Sequence, residues 1–244
     1  MEVTGHTVLV TGGASGIGLA IAERFLAAGN DVIICGRREE KLDEARAKHP
    51  PLHAKVVDLA QASGRAEFAS WAIREFPNLD VLVNNAGIQQ RLLLAQSPDW
   101  DAVHSEIATN FEAHVHLAML FIPHLCDKKR PAILNVTSGL AFVPLAANPV
   151  YSATKAAMRS FTLSLRHQLT NTPIEVVEII PPAVDTDLGG PGLHTFGVPL
   201  DEFADAAFAQ LRAGKTEVTY GFSEETSRAS SEQRDAIFER LNKR

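Results

Sequence analysis

The amino-acid sequence predicts an α/β fold, a doubly wound parallel sheet with helices on both faces, in one domain spanning residues 1–244. Short runs rich in β-branched residues alternate with longer segments whose apolar residues recur with a helical period. The short runs are almost continuously apolar, which is typical of parallel strands covered on both faces. A glycine-rich stretch follows the first run, at the place where such folds turn from strand to helix.

Seven segments of the chain have the pattern of strands. They are 7–11, 31–35, 54–59, 80–84, 132–137, 175–180 and 216–221. Helical periodicity indicates helices at 19–29, 66–76, 100–125, 153–170, 201–213 and 230–243. The segment 186–200 is rich in glycine and proline, which is typical of a mobile loop, and residues 222–244 form a C-terminal extension.

The composition narrows the class of protein. With 45% hydrophobic residues, 21% charged residues and a formal net charge of −6, the chain is an ordinary globular one, and a general nucleic-acid surface is not expected. No apolar run approaches the roughly 20 residues of a membrane span, and the N-terminus lacks the pattern of a signal peptide. We therefore expect a cytoplasmic protein with no membrane contact.

The two cysteines, Cys35 and Cys126, have no metal-ligand or redox spacing. We predict that both are buried, reduced and structural. The nine histidines form no zinc motif, so we expect no metal.

The first strand leads into TGGASGIGLAIAERF, which places Gly12, Gly16 and Gly18 in a strand-to-helix turn. Glycines there let the backbone approach a pyrophosphate, and the N-terminus of the helix offers free N–H groups. Tight packing of the turn is the alternative explanation.

The end of the second strand indicates which dinucleotide would bind. An acidic residue there would bind the ribose of NAD, but the sequence has Gly36, Arg37 and Arg38. Two guanidinium groups suit a 2′-phosphate, so the sequence favours NADP(H) over NAD(H). Alternatively, the arginines only begin a solvated helix together with Glu39 and Glu40.

Tyr151 and Lys155 lie four positions apart in NPVYSATKAAM, at the start of a predicted helix. Residues with this spacing share one face of a helix, so a phenol and an amine would project into a common space. Taken alone, the pair could equally be a half-buried tyrosine beside a solvated lysine.

Taken together, TGGASGIG at 11–18, NNAG at 84–87, Asn110, Ser138 and YSATK at 151–155 resemble the short-chain dehydrogenase/reductase family, in its single-domain branch. The resemblance covers almost the whole chain and implies a Rossmann-like sheet of about seven parallel strands, a nicotinamide cofactor and the interconversion of an alcohol and a carbonyl. More loosely, the C-terminal run resembles the branch named after D-alanylation operon oxidoreductases.

The resemblance implies a catalytic set of Asn110, Ser138, Tyr151 and Lys155. Tyr151 would be the general acid or base, and Lys155 would lower its pKa and bind the nicotinamide ribose. Ser138 would orient the substrate oxygen, and Asn110 would hold a water in the proton path. Alternatively, Asn110 is a locally bonded helix residue and Ser138 a turn former.

The resemblance also implies a cofactor site. Its residues would be Gly12, Ser15, Gly16, Ile17, Gly18, Arg37, Arg38, Asp58, Leu59, Asn85, Ala86, Gly87, Tyr151, Lys155, Pro181, Val184 and Thr186. One departure from the family is Pro182, which stands where a glycine is usual and should stiffen the turn beneath the nicotinamide.

The substrate pocket should be formed by the loops 88–95, 139–149 and 186–200. The candidate contacts are Gln89, Leu140, Phe142, Val143, Leu193 and Phe196, although apolar residues in loops are as often packing residues. We interpret His194 as an exposed loop residue. These loops suit a small or medium, moderately apolar carbonyl or alcohol.

The family resemblance also implies a homodimer or homotetramer that pairs through the helices 100–125 and 153–170. Their apolar residues Met119, Phe121, Met158 and Phe161 could face a second subunit or the sheet. The main functional hypothesis is an NADP(H)-dependent carbonyl reductase or alcohol dehydrogenase. A cofactor-sensing or scaffold protein without turnover is the alternative.

Overall fold

The computed structural model describes residues 1–243, which form a seven-stranded sheet in the order β3-β2-β1-β4-β5-β6-β7. The strands are β1 (Thr7–Thr11), β2 (Asp31–Gly36), β3 (His53–Val56), β4 (Leu79–Asn84), β5 (Ala132–Val136), β6 (Glu175–Ile180) and β7 (Glu217–Thr219). All neighbouring strands pair in parallel. Arg244, the last residue of the predicted domain and extension, lies outside the described residues.

Helices cover both faces of this sheet. They are α1 (Gly16–Ala27), α2 (Glu39–Lys48), α3 (Ala62–Glu75), α4 (Trp100–Ile107), α5 (Ala113–Leu125), α6 (Pro149–Gln168), α7 (Leu200–Arg212), α8 (Phe222–Arg228) and α9 (Ser231–Leu241). A π-helical turn, Ala108–Glu112, joins α4 to α5, and short 3₁₀ turns occupy Leu94–Gln96 and Gly139–Ala141. The predicted fold class is confirmed.

Alternation along each strand divides the core into two layers. Val8 and Val10 of β1 face the layer built with α1, α2 and α7, where Phe25 meets Phe208 edge to face at 5.2 Å. Leu9, between them, faces the opposite layer, which is built with α3, α5 and α6. Both faces of the strands are therefore apolar, which explains the continuous apolar runs in the sequence.

The predicted strand boundaries are wrong at the two sheet edges. β3 ends at Val56 instead of residue 59, and β7 covers only three residues. Edge strands pair on one side alone and are commonly short, so local β-propensity overestimates their length. The C-terminal extension also contains an additional helix, α8. It begins directly after Gly221, whose backbone is left-handed (φ +54°).

Cys126 is exposed, so the prediction that it is buried is wrong; it follows the last turn of α5 at the helix C-terminus. Cys35 is buried in β2, and burial raises the pKa of its thiol to about 12. In residues 1–243, no helix combines the length and the apolar character needed to cross a membrane.

Candidate active site

The carboxyl end of β1 and the segment after β4 are joined by Thr11. Its buried hydroxyl donates to the Val83 carbonyl and accepts from the backbone N–H groups of Asn85 (2.9 Å) and Ala86 (3.0 Å). Gly12 follows in a left-handed conformation (φ +63°), and a Cβ there would lie 2.8 Å from the Ala86 Cα. The NNAG segment therefore supports the glycine turn directly.

The N-terminus of α1 fits a phosphate-binding role. Helix α1 begins at Gly16 after an extended Ser15, and within residues 1–243 the Ser15 side chain does not cap its free N–H groups. Gly18 packs so closely that a Cβ would lie 2.3 Å from the Asn85 side-chain nitrogen. A Cβ on Gly16 would lie 3.5 Å from the Thr186 Cγ2, so this helix end lies close to the loop after β6.

The arginines after β2 lie beside the same turn. Both are exposed, and the Arg38 guanidinium donates to the Ser15 hydroxyl at 3.1 Å. Within residues 1–243 neither arginine forms an ion pair with Glu39 or Glu40. The contact with Ser15 directs at least one guanidinium toward the glycine turn.

The loop after β3 is held by an arginine that sequence analysis missed. Arg65 is buried on α3, and its guanidinium donates to the Leu59 carbonyl at 2.7 Å and to the His116 ring at 3.0 Å. The Leu59 side chain is buried, and the Asp58 carboxylate accepts from the Ala60 N–H at 3.0 Å. These bonds fix the loop that would lie beside an adenine.

Ser138, Tyr151 and Lys155 lie near the carboxyl end of β5. Ser138 follows that strand and accepts from the Leu140 N–H at 3.1 Å. Pro149 begins α6, so Tyr151 lies in its first turn. The Lys155 ammonium lies 5.6 Å from the Tyr151 ring centroid and donates to the Val136 carbonyl at 2.9 Å. The spacing in the sequence therefore does place the phenol and the amine together.

Asn110 lies in the π-helical turn and holds the backbone after NNAG. Its side chain accepts from the Ile88 N–H and donates to the Ile88 carbonyl, each at 2.8 Å. A Cβ on Gly87 would lie 3.5 Å from the Asn110 Oδ1 and 3.8 Å from the Lys155 Nζ. Asn110 and Lys155 thus both lie beside Gly87.

The pKa of Tyr151 beside Lys155 differs from the prediction. Burial raises the pKa of Tyr151; a hydrogen bond with Ser138 opposes this, and the negative charge of Glu106 adds to it. Burial also lowers the pKa of Lys155 to about 8. Because desolvation is the largest influence on both groups, the protein's own residues do not give the lowered phenol pKa that the spacing suggested.

Comparison with known proteins identifies the family. A model described as short chain dehydrogenase matches residues 6–193. This chain belongs to the short-chain dehydrogenase family.

Individual relatives resemble most or all of the chain. The "Uncharacterized oxidoreductase DltE" of Bacillus subtilis (strain 168) is 47% identical and aligns with 99% of this chain and 98% of its own length. The "NADP-dependent 3-hydroxy acid dehydrogenase YdfG" of Escherichia coli (strain K12) is 34% identical over 71% of each chain. A solved short chain dehydrogenase from Burkholderia cenocepacia J2315, in complex with NADP, superposes with a TM-score of 0.86 at 26% identity over 100% of both chains.

In this short-chain dehydrogenase the turn after β6 is anchored despite its second proline. The Gly139 N–H donates to the Pro181 carbonyl at 2.9 Å, so this turn is tied to the one that carries Ser138. Val184 pairs with Val198, which closes the base of the predicted substrate loop, and helix α7 begins at Leu200 within the predicted loop.

The predicted substrate contacts differ in how far they are exposed to solvent. Leu193 and Phe196 are exposed, and Gln89 and Leu140 are half-buried. Phe142 is half-buried, and the guanidinium groups of Arg159 and Arg234 lie 4.3 and 5.3 Å from its ring centroid.

Val143 is only 1% exposed. We therefore withdraw Val143 from the substrate pocket, because its side chain is inaccessible, whereas Phe142 is half-buried and stays a candidate contact. His194 is half-buried beside Phe196, at 6.0 Å between ring centroids, not fully exposed as predicted.

Three further buried polar residues near the site were missed. Glu106 and His114 lie on either side of Asn110 along the helix, and Thr154 accepts from the Asn110 side chain at 3.3 Å. Glu106 and His114 lie four residues before and four residues after Asn110, and this spacing in the sequence indicates that the three residues share one face of the helix. Their burial, however, depends on the packing of α6 against this face.

Proposed function

We propose that this short-chain dehydrogenase is an NADP(H)-dependent oxidoreductase that interconverts a carbonyl with a secondary or primary alcohol. The observation that carries the proposal is the meeting of Ser138, Tyr151 and Lys155 at the end of β5, with only β4 between this strand and β1, which leads into the glycine turn. A phenol, a hydroxyl and an ammonium group placed beside a dinucleotide cleft suit proton transfer to and from a substrate oxygen.

When bound, a nicotinamide cofactor would supply or accept the hydride. The N–H groups at the start of α1 would hold its pyrophosphate, and Val184 and Thr186 would contact its carboxamide. Lys155 and the segment Asn85–Gly87 would hold its riboses, and the loop of Asp58 and Leu59 would border its adenine.

Tyr151 would donate its phenolic proton to the substrate oxygen during carbonyl reduction and accept it during alcohol oxidation. The Ser138 hydroxyl would stabilise the charge that develops on this oxygen. Lys155 retains its positive charge below about pH 8, which favours the phenolate after proton transfer. Asn110 fixes the Ile88 backbone and so supports the segment of Gly87, which lies beside Lys155.

A substrate panel tests this function. Purified protein would be assayed for oxidation of NADPH and NADH with aldehydes, ketones and diketones, beside Tyr151→Phe. We expect turnover with NADPH and a loss of at least about a hundredfold in the mutant, because general acid catalysis contributes roughly 10²–10⁴-fold. Absence of turnover with intact cofactor binding would favour a cofactor-sensing or scaffold protein instead.

The preference for NADP(H) rests on Gly36, Arg37 and Arg38. The solved relative in complex with NADP gives this preference additional support. We expect the double substitution Arg37→Asp, Arg38→Ala to raise the Kd of NADPH at least about tenfold more than that of NADH, since it removes two charge-assisted contacts to the 2′-phosphate. Equal losses for the two cofactors, measured by titration, would contradict the preference.

A further inference from the structure

A carboxyl group is buried inside the sheet, on β6. Glu178 is 0% exposed and stands between Val177 and Ile179, which pack into the apolar layer of α1, α2 and α7. Because side chains alternate along a strand, Glu178 points to the opposite face, where α6 lies. A buried charge is costly even when it is paired, and an apolar side chain at this position would avoid that cost. The carboxyl group therefore suggests a functional reason.

The two carboxylate oxygens of Glu178 bind two different elements. Oε1 accepts from the Thr137 hydroxyl at 2.7 Å, and Oε2 forms an ion pair with the Arg159 guanidinium at 2.5 Å. Thr137 is the residue directly after β5 and directly before Ser138, whereas Arg159 lies on α6. One buried side chain thus joins the end of β5 to α6.

Arg159 continues the face of α6 that carries the catalytic pair. Tyr151, Lys155 and Arg159 are spaced four residues apart on this helix. The Arg159 guanidinium also lies 4.3 Å from the ring centroid of Phe142, which belongs to the turn after Ser138. Arg159 therefore connects the helix of Tyr151 to the turn of Ser138 by a second route.

The charges around Glu178 agree with a carboxylate held by its partners. Burial raises the pKa of Glu178, whereas the Thr137 hydrogen bond and the Arg159 charge oppose that rise. Glu217 of β7 lies 3.5 Å from Arg159, and Arg166 of α6 lies 3.8 Å from Glu217. Moving Thr137 or Arg159 away would leave the buried carboxylate without a partner, so both residues are held in place.

We propose that Glu178 is a positioning residue that fixes Ser138 relative to Tyr151, an inference that rests on the proposed function. Its Oε1 holds the end of β5, from which the Ser138 hydroxyl projects, and its Oε2 holds the helix that carries the phenol. The hydroxyl and the phenol must meet the same substrate oxygen, so a displacement of one relative to the other slows the reaction. Because Glu178 is fully buried, it acts through these neighbours.

The test compares Glu178→Gln, Thr137→Val and Thr137→Ser with the wild type. Glutamine removes the charge that pairs with Arg159, valine removes the threonine hydroxyl, and serine keeps that hydroxyl. The matched control is Thr162→Val. Thr162 is also fully buried, and its hydroxyl accepts from the Asn135 side chain at 2.9 Å, so it joins β5 to α6 without involving Glu178.

For each protein one would measure the Tm, the Kd of NADPH, and the kcat and KM of carbonyl reduction. We expect Glu178→Gln and Thr137→Val to lower kcat at least about tenfold and to keep the Kd of NADPH within about twofold, because small displacements of reacting groups are costly. Thr137→Ser should recover most of the wild-type kcat. Thr162→Val should lower the Tm and keep the wild-type kcat, since it removes a buried hydrogen bond elsewhere.

A Ser138→Ala background distinguishes positioning from a general loosening of the fold. Because Thr137 acts through Ser138, Thr137→Val should lower the kcat of Ser138→Ala by less than about twofold. A purely structural role of Thr137 would lower kcat by the same factor in both backgrounds.

Wild-type kcat in Glu178→Gln and Thr137→Val would overturn the positioning role and leave the proposed function intact. Additive losses in the Ser138→Ala background, or an equal loss of kcat in Thr162→Val, would also overturn it. Thr137→Val decides alone if Glu178→Gln does not fold. A wild-type protein that binds NADPH but reduces no carbonyl in the panel would remove the proposed function, and the positioning role with it.

Discussion

Glu106 gives the surroundings of Tyr151 a second ionisable group. One carboxylate oxygen accepts from the Gln90 N–H at 3.1 Å, whereas the other is buried and has no partner within residues 1–243. Burial raises the pKa of Glu106 to about 7, so its charge changes near neutral pH. Because the charged form raises the pKa of Tyr151, Glu106 should influence the pH range in which the phenol exchanges its proton.

Glu106→Gln should therefore shift the alkaline limb of the pH–rate profile for carbonyl reduction to lower pH, because the pKa of Tyr151 falls when the negative charge is removed. A raised carboxyl pKa favours folding below about pH 4.5 and loses that benefit as pH rises through about 7. Above pH 7 the substitution should thus increase the free energy of unfolding by roughly 1–3 kcal/mol. The measurements are kcat/KM against pH and denaturant unfolding.

Glutamine keeps an oxygen that can accept from the Gln90 N–H, so the substitution removes the charge and preserves this contact. A pH profile identical to that of the wild type would contradict the coupling between Glu106 and Tyr151.

At the scale of elements, the C-terminal helix α9 holds one of the predicted substrate loops. Asn242, at its end, accepts from the Ala146 N–H at 2.6 Å and donates to the Pro144 carbonyl at 3.1 Å. Arg234 of α9 stacks on Phe142 in the same loop. The loop continues into α6, so α9 stabilises the segment that leads to Tyr151.

Asn242→Ala should raise the KM for the substrate by about tenfold, since two hydrogen bonds of about 0.5–1.5 kcal/mol each no longer hold the loop. The Kd of NADPH should change much less than the KM, because most of the cofactor residues lie on elements away from this loop. Asn242→Asp, which keeps the acceptor and loses the donor, should have an intermediate KM.

Arg240→Ala, on the same helix as Asn242, is the matched control. It removes only an exposed ion pair between Arg240 and Glu225 of α8. An unchanged KM in Asn242→Ala would show that α9 does not influence the substrate loop.

At the scale of the whole molecule, α5 and α6 each carry an exposed apolar side chain. Of the four apolar residues considered from the sequence, Phe121 and Met158 are fully buried and Phe161 packs against the core, so these three do not face a partner. Met119 on α5 is 65% exposed and Leu163 on α6 is 42% exposed. Exposed apolar side chains on these two helices support the proposal that they pair with a second copy of the chain.

The double substitution Met119→Lys, Leu163→Lys should convert a homodimer or homotetramer to monomer, because it places two charges in an apolar interface. Native mass spectrometry would measure the mass of both proteins. A wild-type protein with only a 26.4 kDa species would contradict the proposed association.

Features that depend on local sequence could be predicted. The sheet follows from the alternation of apolar runs and helical periods, and the Tyr151–Lys155 pairing follows from the four-residue spacing on one helix. The strand-to-helix turn follows from Gly12, Gly16 and Gly18, because φ values of +63° at Gly12 and +53° at Gly16 favour glycine regardless of distant neighbours.

Features that depend on distant residues could not be predicted. Phe142 is stacked by Arg159 and Arg234, and Asn242 reaches a loop almost a hundred residues earlier in the chain. The pKa of Tyr151 is raised because the folded chain surrounds the phenol and places Glu106 beside it.

Sequence periodicity by itself therefore determined the order of the elements and the residues that a local turn or a single helix brings together. Only the tertiary structure decided which polar groups were desolvated, which loops were held and which aromatic rings were already in contact. The physical reason is that secondary structure follows from backbone geometry over a few residues, whereas desolvation and charge interactions depend on distances between residues far apart in the chain.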